Sequence, residues 1–162
     1  MVAVSGVKNS GKTTLIERLL PLLTARGLRV AVIKHDGHDF SPDVPGTDSD
    51  RHRRAGAYGT AVFSQNQWMA CKAQTVTERE LIALFPEADL ILLEGLKHSP
   101  WPKLELVRAG NSDAPVCEPE TVLALVSALP LALPGKPVFH PDDLEGITAF
   151  LINYLERGTV HA

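Results

Sequence analysis

One octapeptide limits what this chain can fold into more than any other stretch: Gly6-Val7-Lys8-Asn9-Ser10-Gly11-Lys12-Thr13. It fits the pattern G-x-x-x-x-G-K-[ST] and lies between a short aliphatic run, Val2 to Ser5, and a segment of helical periodicity. Glycines let such a loop curl until successive N–H groups point at one centre, and the start of the following helix adds the positive end of its dipole. Those groups suit phosphate oxygens. A strand, a phosphate-binding loop (P-loop) and a helix in that order predict a nucleotide-binding α/β chain. The expected architecture is a P-loop NTPase-like three-layer sandwich, with a mostly parallel sheet and an antiparallel hairpin.

Hydrophobic periodicity along the rest of the chain agrees with that frame. A helix is predicted from about Lys12 to Arg26, with Leu15, Ile16, Leu19, Leu20, Leu22 and Leu23 in a broad apolar stripe, a bend at Pro21 and a stop at Gly27. Leu28 to Lys34 reads as the second strand, and the polar stretch that follows it is too long to be a mere connector. A short helix around Ser49 to Ala55 precedes a predicted hairpin of Thr60 to Ser64 and Gln67 to Lys72, turning at Gln65 and Asn66. Thr77 and Glu80 form a capping-box pattern for a helix that carries Leu81, Ile82, Leu84 and Phe85 and stops before Pro86. Further strands are expected at Leu90 to Leu93, Leu104 to Val107, Val122 to Val126 and Val138-Phe139. Asp142 is the expected cap of a last helix. All 162 residues are read as one domain.

Within the loop, the phosphate set is Gly6, Lys8, Asn9, Ser10, Gly11, Lys12, Thr13 and Thr14. Lys12 is expected to reach the outer phosphates, and the Thr13 hydroxyl to ligate Mg²⁺. Glu94 follows four aliphatic residues and so projects from the carboxyl end of a strand, where ligands of open parallel sheets collect. A carboxylate there can hold Mg²⁺ through water or orient an attacking water, which makes Glu94 the candidate catalytic and second metal residue beside Thr13. Its alternative is a solvated acid at a strand end. His35, Asp36, His38 and Asp39 would reach the same edge, and with His98 they permit a metal site, although polar loops of this composition are also common surface. The run Arg51 to Arg54 reads either as an anion contact or as a helix face balanced by Asp48 and Asp50. Trp68 and Trp101 are candidate interface anchors or core residues.

Composition removes several classes. A formal net charge of -3 offers no general attraction for nucleic acid or an acidic membrane. Two cysteines without C-x-x-C spacing imply neither a disulfide framework nor a cysteine-based zinc site. No stretch is apolar enough to span a bilayer, and the start of the chain has no signal-peptide pattern, so a soluble cytoplasmic protein is expected. No N-K-x-D tetrad occurs, so the residues themselves do not choose between guanine and adenine.

Five segments together resemble the molybdopterin-guanine dinucleotide biosynthesis protein B (MobB) family: GVKNSGKTTLIERLLPLL, VIKHDGHDF, VPGTDSDRHRRAGA, ADLILLEGLKHSPWPKLELVR and, more loosely, DDLEGI. The resemblance implies GTP and Mg²⁺ as cofactors, at most weak GTPase activity and a homodimer. It also implies a partner, the guanylyltransferase of molybdenum-cofactor maturation, for which the chain would supply or position GTP. Gly11, Lys12, Thr13 and Glu94 carry over as the nucleotide and magnesium residues; Asp48, Ser49 and Arg54 match a further family segment. Thr47 departs from the basic or polar residue usual before that segment, and Ser127-Ala128 stand where many members have an Asp. Two other functions compete, a P-loop small-molecule kinase and a metallochaperone GTPase. A late basic lid would favour the first and a Cys-Pro-His ligand motif the second; the chain has neither pattern.

Overall fold

The computed structural model describes residues 1–38 and 40–159. In chain order its elements are β1 (Val2–Ser5), α1 (Lys12–Ala25), β2 (Val30–Lys34), α2 (Asp48–Arg54), β3 (Gly59–Phe63), β4 (Trp68–Lys72), α3 (Glu78–Ile82), β5 (Leu90–Glu94), β6 (Lys103–Leu106), β7 (Val122–Val126), β8 (Val138–Phe139) and α4 (Leu144–Thr159). They fall into two compact units, one of Met1–His35 with Ile82–Ala162 and one of Asp36–Leu81.

The larger unit is built on a six-stranded sheet in the order β2-β5-β1-β6-β7-β8, and every pairing in it is parallel. This is the α/β arrangement that the strand-loop-helix motif predicts. Alternation along the strands sends Val2, Val4, Leu92 and Leu104 to one face, where they meet Leu19 and Leu23 of α1 and Ile147 and Leu151 of α4. All eight are fully buried. Because β5 is buried along its whole length, it reads Leu-Ile-Leu-Leu-Glu without polar alternation. Pro21 sits inside α1 as expected, and Gly27 ends the helix with a φ of +82°.

The opposite face of β6 carries two charged residues, Lys103 and Glu105, both fully buried. Glu105 Oε1 accepts the backbone N–H groups of Val116 and Cys117, so this carboxylate closes the long connection from β6 to β7. Burial, followed by the charge of Glu105 and a hydrogen bond to it, pushes the Cys117 thiol up to about 12. That thiol is therefore inert at neutral pH.

In the smaller unit, β3 and β4 form the predicted antiparallel hairpin, registered with Phe63 opposite Trp68 and Val62 opposite Met69. Thr47 caps α2 by accepting from the Asp50 N–H. Asp50 is buried, accepts the Gly46 N–H at 3.0 Å, and pairs with Arg53 at 2.8 Å and Arg54 at 3.1 Å. The basic run is thus largely balanced by its own helix.

Two expectations need correction. Asp143, not Asp142, caps α4: its Oδ1 accepts the Gly146 N–H at 3.0 Å, while Asp142 faces Arg18 in an ion pair of 2.9 Å. Helix α3 ends at Ile82 and does not reach Phe85, because a residue before proline is disfavoured in helical geometry and Phe85 precedes Pro86. The capping box itself is present, with Glu80 Oε2 accepting the Thr77 N–H at 2.9 Å and Thr77 Oγ1 accepting the Glu80 N–H at 3.3 Å. Among the described residues no helix is long and apolar enough to cross a membrane.

Candidate functional site

The loop from β1 to α1 adopts a backbone path open to few residue types. Gly6 and Gly11 have φ of +139° and +99°, and Asn9 is left-handed at +61°. A Cβ at Gly6 would lie 2.5 Å from the Leu106 carbonyl oxygen and 2.8 Å from Ser10 Oγ, so the motif's first glycine is required by packing as well as by φ. Left-handed residues beside right-handed ones aim successive N–H groups into a shared concavity that suits an anion.

Helix α1 then begins without a side-chain cap and without an acidic residue in its first turn. The contrast with α2 is informative: there Thr47 caps, and Asp48 and Asp50 stand in the first turn. At α1 the first N–H groups and the positive dipole end are left to an acceptor from outside the helix. Ser10 Oγ points the same way, since it is buried with no hydrogen-bond partner. Such an orphaned hydroxyl costs roughly 1–3 kcal/mol, which a phosphate oxygen would relieve.

Lys12 Nζ folds over the loop, donating to the carbonyls of Val7 at 2.7 Å and Gly6 at 3.4 Å. Partial burial lowers its pKa from the ordinary lysine value; Glu94 opposes that shift, and the like charges of Lys34 and Lys97 add to it. Directly after this lysine, Thr13 Oγ1 donates to Glu94 Oε1 at 2.6 Å. The strand register explains the meeting: Glu94 ends β5 opposite Val4 of β1 and Lys34 of β2. Only 7% of Glu94 is exposed, and Lys34 Nζ lies 3.9 Å from the same Oε1. A hydroxyl and a carboxylate in contact are oxygen donors of the kind a hard divalent cation takes. The residues present therefore fit both a polyphosphate and Mg²⁺.

Gly6, Asn9, Ser10, Gly11, Lys12, Thr13 and Glu94 are thus gathered at one edge of the sheet, with Lys8 and Thr14 exposed beside them. The histidine cluster is less coherent. His35 donates its backbone N–H to the Glu94 carbonyl and leaves its side chain exposed; Asp36 and His38 belong to the smaller unit; Asp39 lies outside the described residues. Among the described residues no group of three or more His, Cys, Asp or Glu is placed to hold a metal ion. Two neighbours were not legible as site residues. Lys34 could have been found by the strand-end rule that selects Glu94. Asn111, whose Nδ2 donates to the Asn9 carbonyl at 2.7 Å, carries no local signal.

The family model for molybdopterin guanine dinucleotide synthesis protein B matches residues 1–128. The molybdopterin-guanine dinucleotide biosynthesis adapter protein of Escherichia coli K12 is 37% identical over 166 residues, covering 97% of this chain and 94% of that protein. The crystal structure of Bacillus subtilis MobB superposes with a TM-score of 0.75 at 30% identity, covering 92% of this chain and 96% of that one. A shorter likeness, 36% identical over 102 residues and 57% of this chain, is to a urease accessory protein UreG from Bradyrhizobium, of which it covers 45%.

Proposed function

The chain belongs to the molybdopterin guanine dinucleotide synthesis protein B family, and from that premise we propose that it is a GTP-binding adapter of molybdopterin-guanine dinucleotide biosynthesis. It holds GTP for the guanylyltransferase that consumes it and hydrolyses it weakly at most. The observation that carries this reading is the uncapped start of α1 beneath a curled loop whose buried Ser10 hydroxyl lacks a partner, one residue pair away from the Thr13–Glu94 contact.

The residues divide the work by position. Loop N–H groups from Asn9 to Thr14 and the Ser10 hydroxyl would donate to the oxygens of the inner phosphates, and Lys12 would turn from the Val7 carbonyl to the outer ones. Thr13 and Glu94 hold Mg²⁺, which neutralises phosphate charge when bound. Any residual hydrolysis is assigned to Glu94, the carboxylate in contact with Thr13 of the phosphate loop. Self-association through the β3–β4 hairpin accounts for the apolar side chains that hairpin exposes.

The decisive assay mixes the protein with a guanylyltransferase, molybdopterin and limiting GTP, and follows dinucleotide formation. Stimulation by the wild type and none by Lys12→Ala supports the adapter. Equal rates with and without the protein refute it. The UreG likeness favours one second reading, nucleotide-driven metal delivery. Metal analysis of the purified, nucleotide-loaded protein separates the two, since only that reading requires a stoichiometric transition metal.

A further inference from the structure

The phosphate loop is held by a residue that belongs to no motif. Asn111 Nδ2 donates to the Asn9 carbonyl at 2.7 Å, across 102 residues of chain. Within the loop Asn9 is the residue that is left-handed without being glycine, at φ of +61°. Asparagine tolerates that conformation better than most side chains, yet it stays unfavourable for any residue with a Cβ. The peptide unit that follows is planar and trans, so its carbonyl, from Asn9, and its N–H, from Ser10, point in opposite directions. With the carbonyl fixed on Asn111, the Ser10 N–H faces the other side, where its nitrogen lies 3.4 Å from the Val7 carbonyl that also accepts Lys12 Nζ. That contact is longer than an ordinary N–H···O bond, so the donor is weakly engaged. The Ser10 hydroxyl is buried and has no partner among the described residues.

The connection that presents Asn111 is itself tied down on both sides. Val107, just past β6, donates its N–H to the Val126 carbonyl at 3.1 Å, and its own carbonyl accepts the buried Ser127 hydroxyl at 2.7 Å. Arg108 to Asn111 then make a tight turn. The N–H groups of Asn111 and Ser112 both donate to the Arg108 carbonyl at 3.1 Å, and Gly110, in the third position of the turn, has a φ of +81° that favours glycine. Further along, Glu105 Oε1 accepts the Val116 and Cys117 N–H groups and returns the connection to the strand it left. Lys103, on the same face of β6, holds the chain before that strand: its Nζ donates to the carbonyls of Ser99 at 2.6 Å and Lys97 at 3.3 Å, in a turn where Leu96 is left-handed. Charged side chains are almost never fully buried without such partners. Asn111 therefore reaches the loop from a segment whose path is set by the chain itself.

We propose that Asn111 is a positioning residue for the phosphate loop: by holding the Asn9 carbonyl, it keeps the Ser10 N–H on the side of the loop where phosphate binds, before any ligand arrives. This rests on the nucleotide reading above and adds which residue outside the motif pre-forms the site. A loop already in its binding conformation loses less of the binding energy to its own ordering. Because Asn111 acts through the loop, the gain extends to a bare polyphosphate as fully as to a nucleotide.

The test compares wild type with Asn111→Ala and with Asn111→Leu, which matches asparagine in size but has no donor. Calorimetric titration with GTP and with inorganic tripolyphosphate, both with Mg²⁺, should show each variant weakened about fivefold toward both ligands, the effect of one neutral hydrogen bond. The thermal unfolding midpoint should stay unchanged, because the bond lies at the surface. In nitrogen-15 spectra of the ligand-free proteins, the Ser10 amide resonance should move or broaden in both variants and return to the wild-type position when tripolyphosphate saturates the site. A general loss of stability would not single out that amide. Unchanged affinities, or wild-type affinity in Asn111→Leu, overturn the proposal. So does weakened GTP with unchanged tripolyphosphate, which would place Asn111 against the nucleoside, or lost affinity with an unmoved Ser10 resonance, which would mean direct contact with the ligand. In all of these cases wild-type GTP binding keeps the adapter reading intact. Absence of binding of either ligand by the wild type overturns both.

Discussion

The parallel sheet and the β3–β4 hairpin are both made of short, β-prone strands, yet they dispose of their apolar side chains in opposite ways. In the sheet, Leu92 and Leu104 are fully buried against α1 and α4. In the hairpin, Phe63 is 84% exposed and Trp68 66%, and the two sit opposite each other in register. Val62 and Met69, the next pair along, are exposed as well. A two-stranded hairpin is marginal by itself, and because successive side chains alternate between faces, each face of this one exposes one of the two apolar pairs. The sheet therefore supplies the chain's own stability and an edge for the phosphate loop, whereas the hairpin leaves apolar side chains on the surface, for which a second copy of the chain is the proposed partner.

Substitutions of apolar side chains should separate the two regions. Leu92→Ala removes a fully buried side chain from the core and is expected to cost about 2–5 kcal/mol in a denaturant titration. A loss within about 0.5 kcal/mol would mean that the sheet is not the stabilising layer. The double substitution Phe63→Ser, Trp68→Ser removes more apolar surface but should leave the unfolding midpoint of the protomer nearly unchanged. Its effect should appear in sedimentation equilibrium, as loss of a dimer that the wild type forms. Dimers of equal strength in both proteins would assign self-association elsewhere.

A smaller effect sharpens the picture of the unit that carries the hairpin. The Gly46 N–H, followed by the charges and hydrogen bonds of Arg54 and Arg53, holds the Asp50 carboxyl below its usual range against the opposing effect of burial. A carboxyl depressed in the folded state contributes stability above its unfolded pKa, and that contribution is lost as pH falls through the folded value. Asp50→Asn should therefore increase proteolytic nicking of the Asp36–Leu81 unit at neutral pH, and the difference from wild type should shrink in strong acid. A difference that does not change with pH would remove Asp50 from this role.

Local spacing made the central site legible. Gly6, Gly11, Lys12 and Thr13 lie within eight residues, and their pattern specifies backbone geometry directly. Glu94 was legible through a topological rule, the placement of acids at the carboxyl ends of parallel strands. The same rule reaches Lys34, but a lysine ending a strand is also the ordinary device of a solvated edge, so the residue alone does not distinguish the two. Asn111 and Lys103 were not legible. Asn111 meets Asn9 from 102 residues away, and the burial of Lys103 depends on a turn whose left-handed Leu96 no propensity foretells. The α4 cap failed by one position because Asp142 and Asp143 are chemically equal, and only the geometry of the incoming chain selects between them.

The loop between β1 and α1 is proposed to be a site for magnesium-GTP. Equilibrium titration of the purified protein with GTP in Mg²⁺, for wild type and Lys12→Ala with circular dichroism as the folding control, tests that most directly. The expected result is saturable binding of one GTP per chain, weakened at least about 100-fold by Lys12→Ala with the fold intact, since the ammonium makes charge-assisted contacts to more than one phosphate. No binding by the wild type, or equal binding by both proteins, would contradict it.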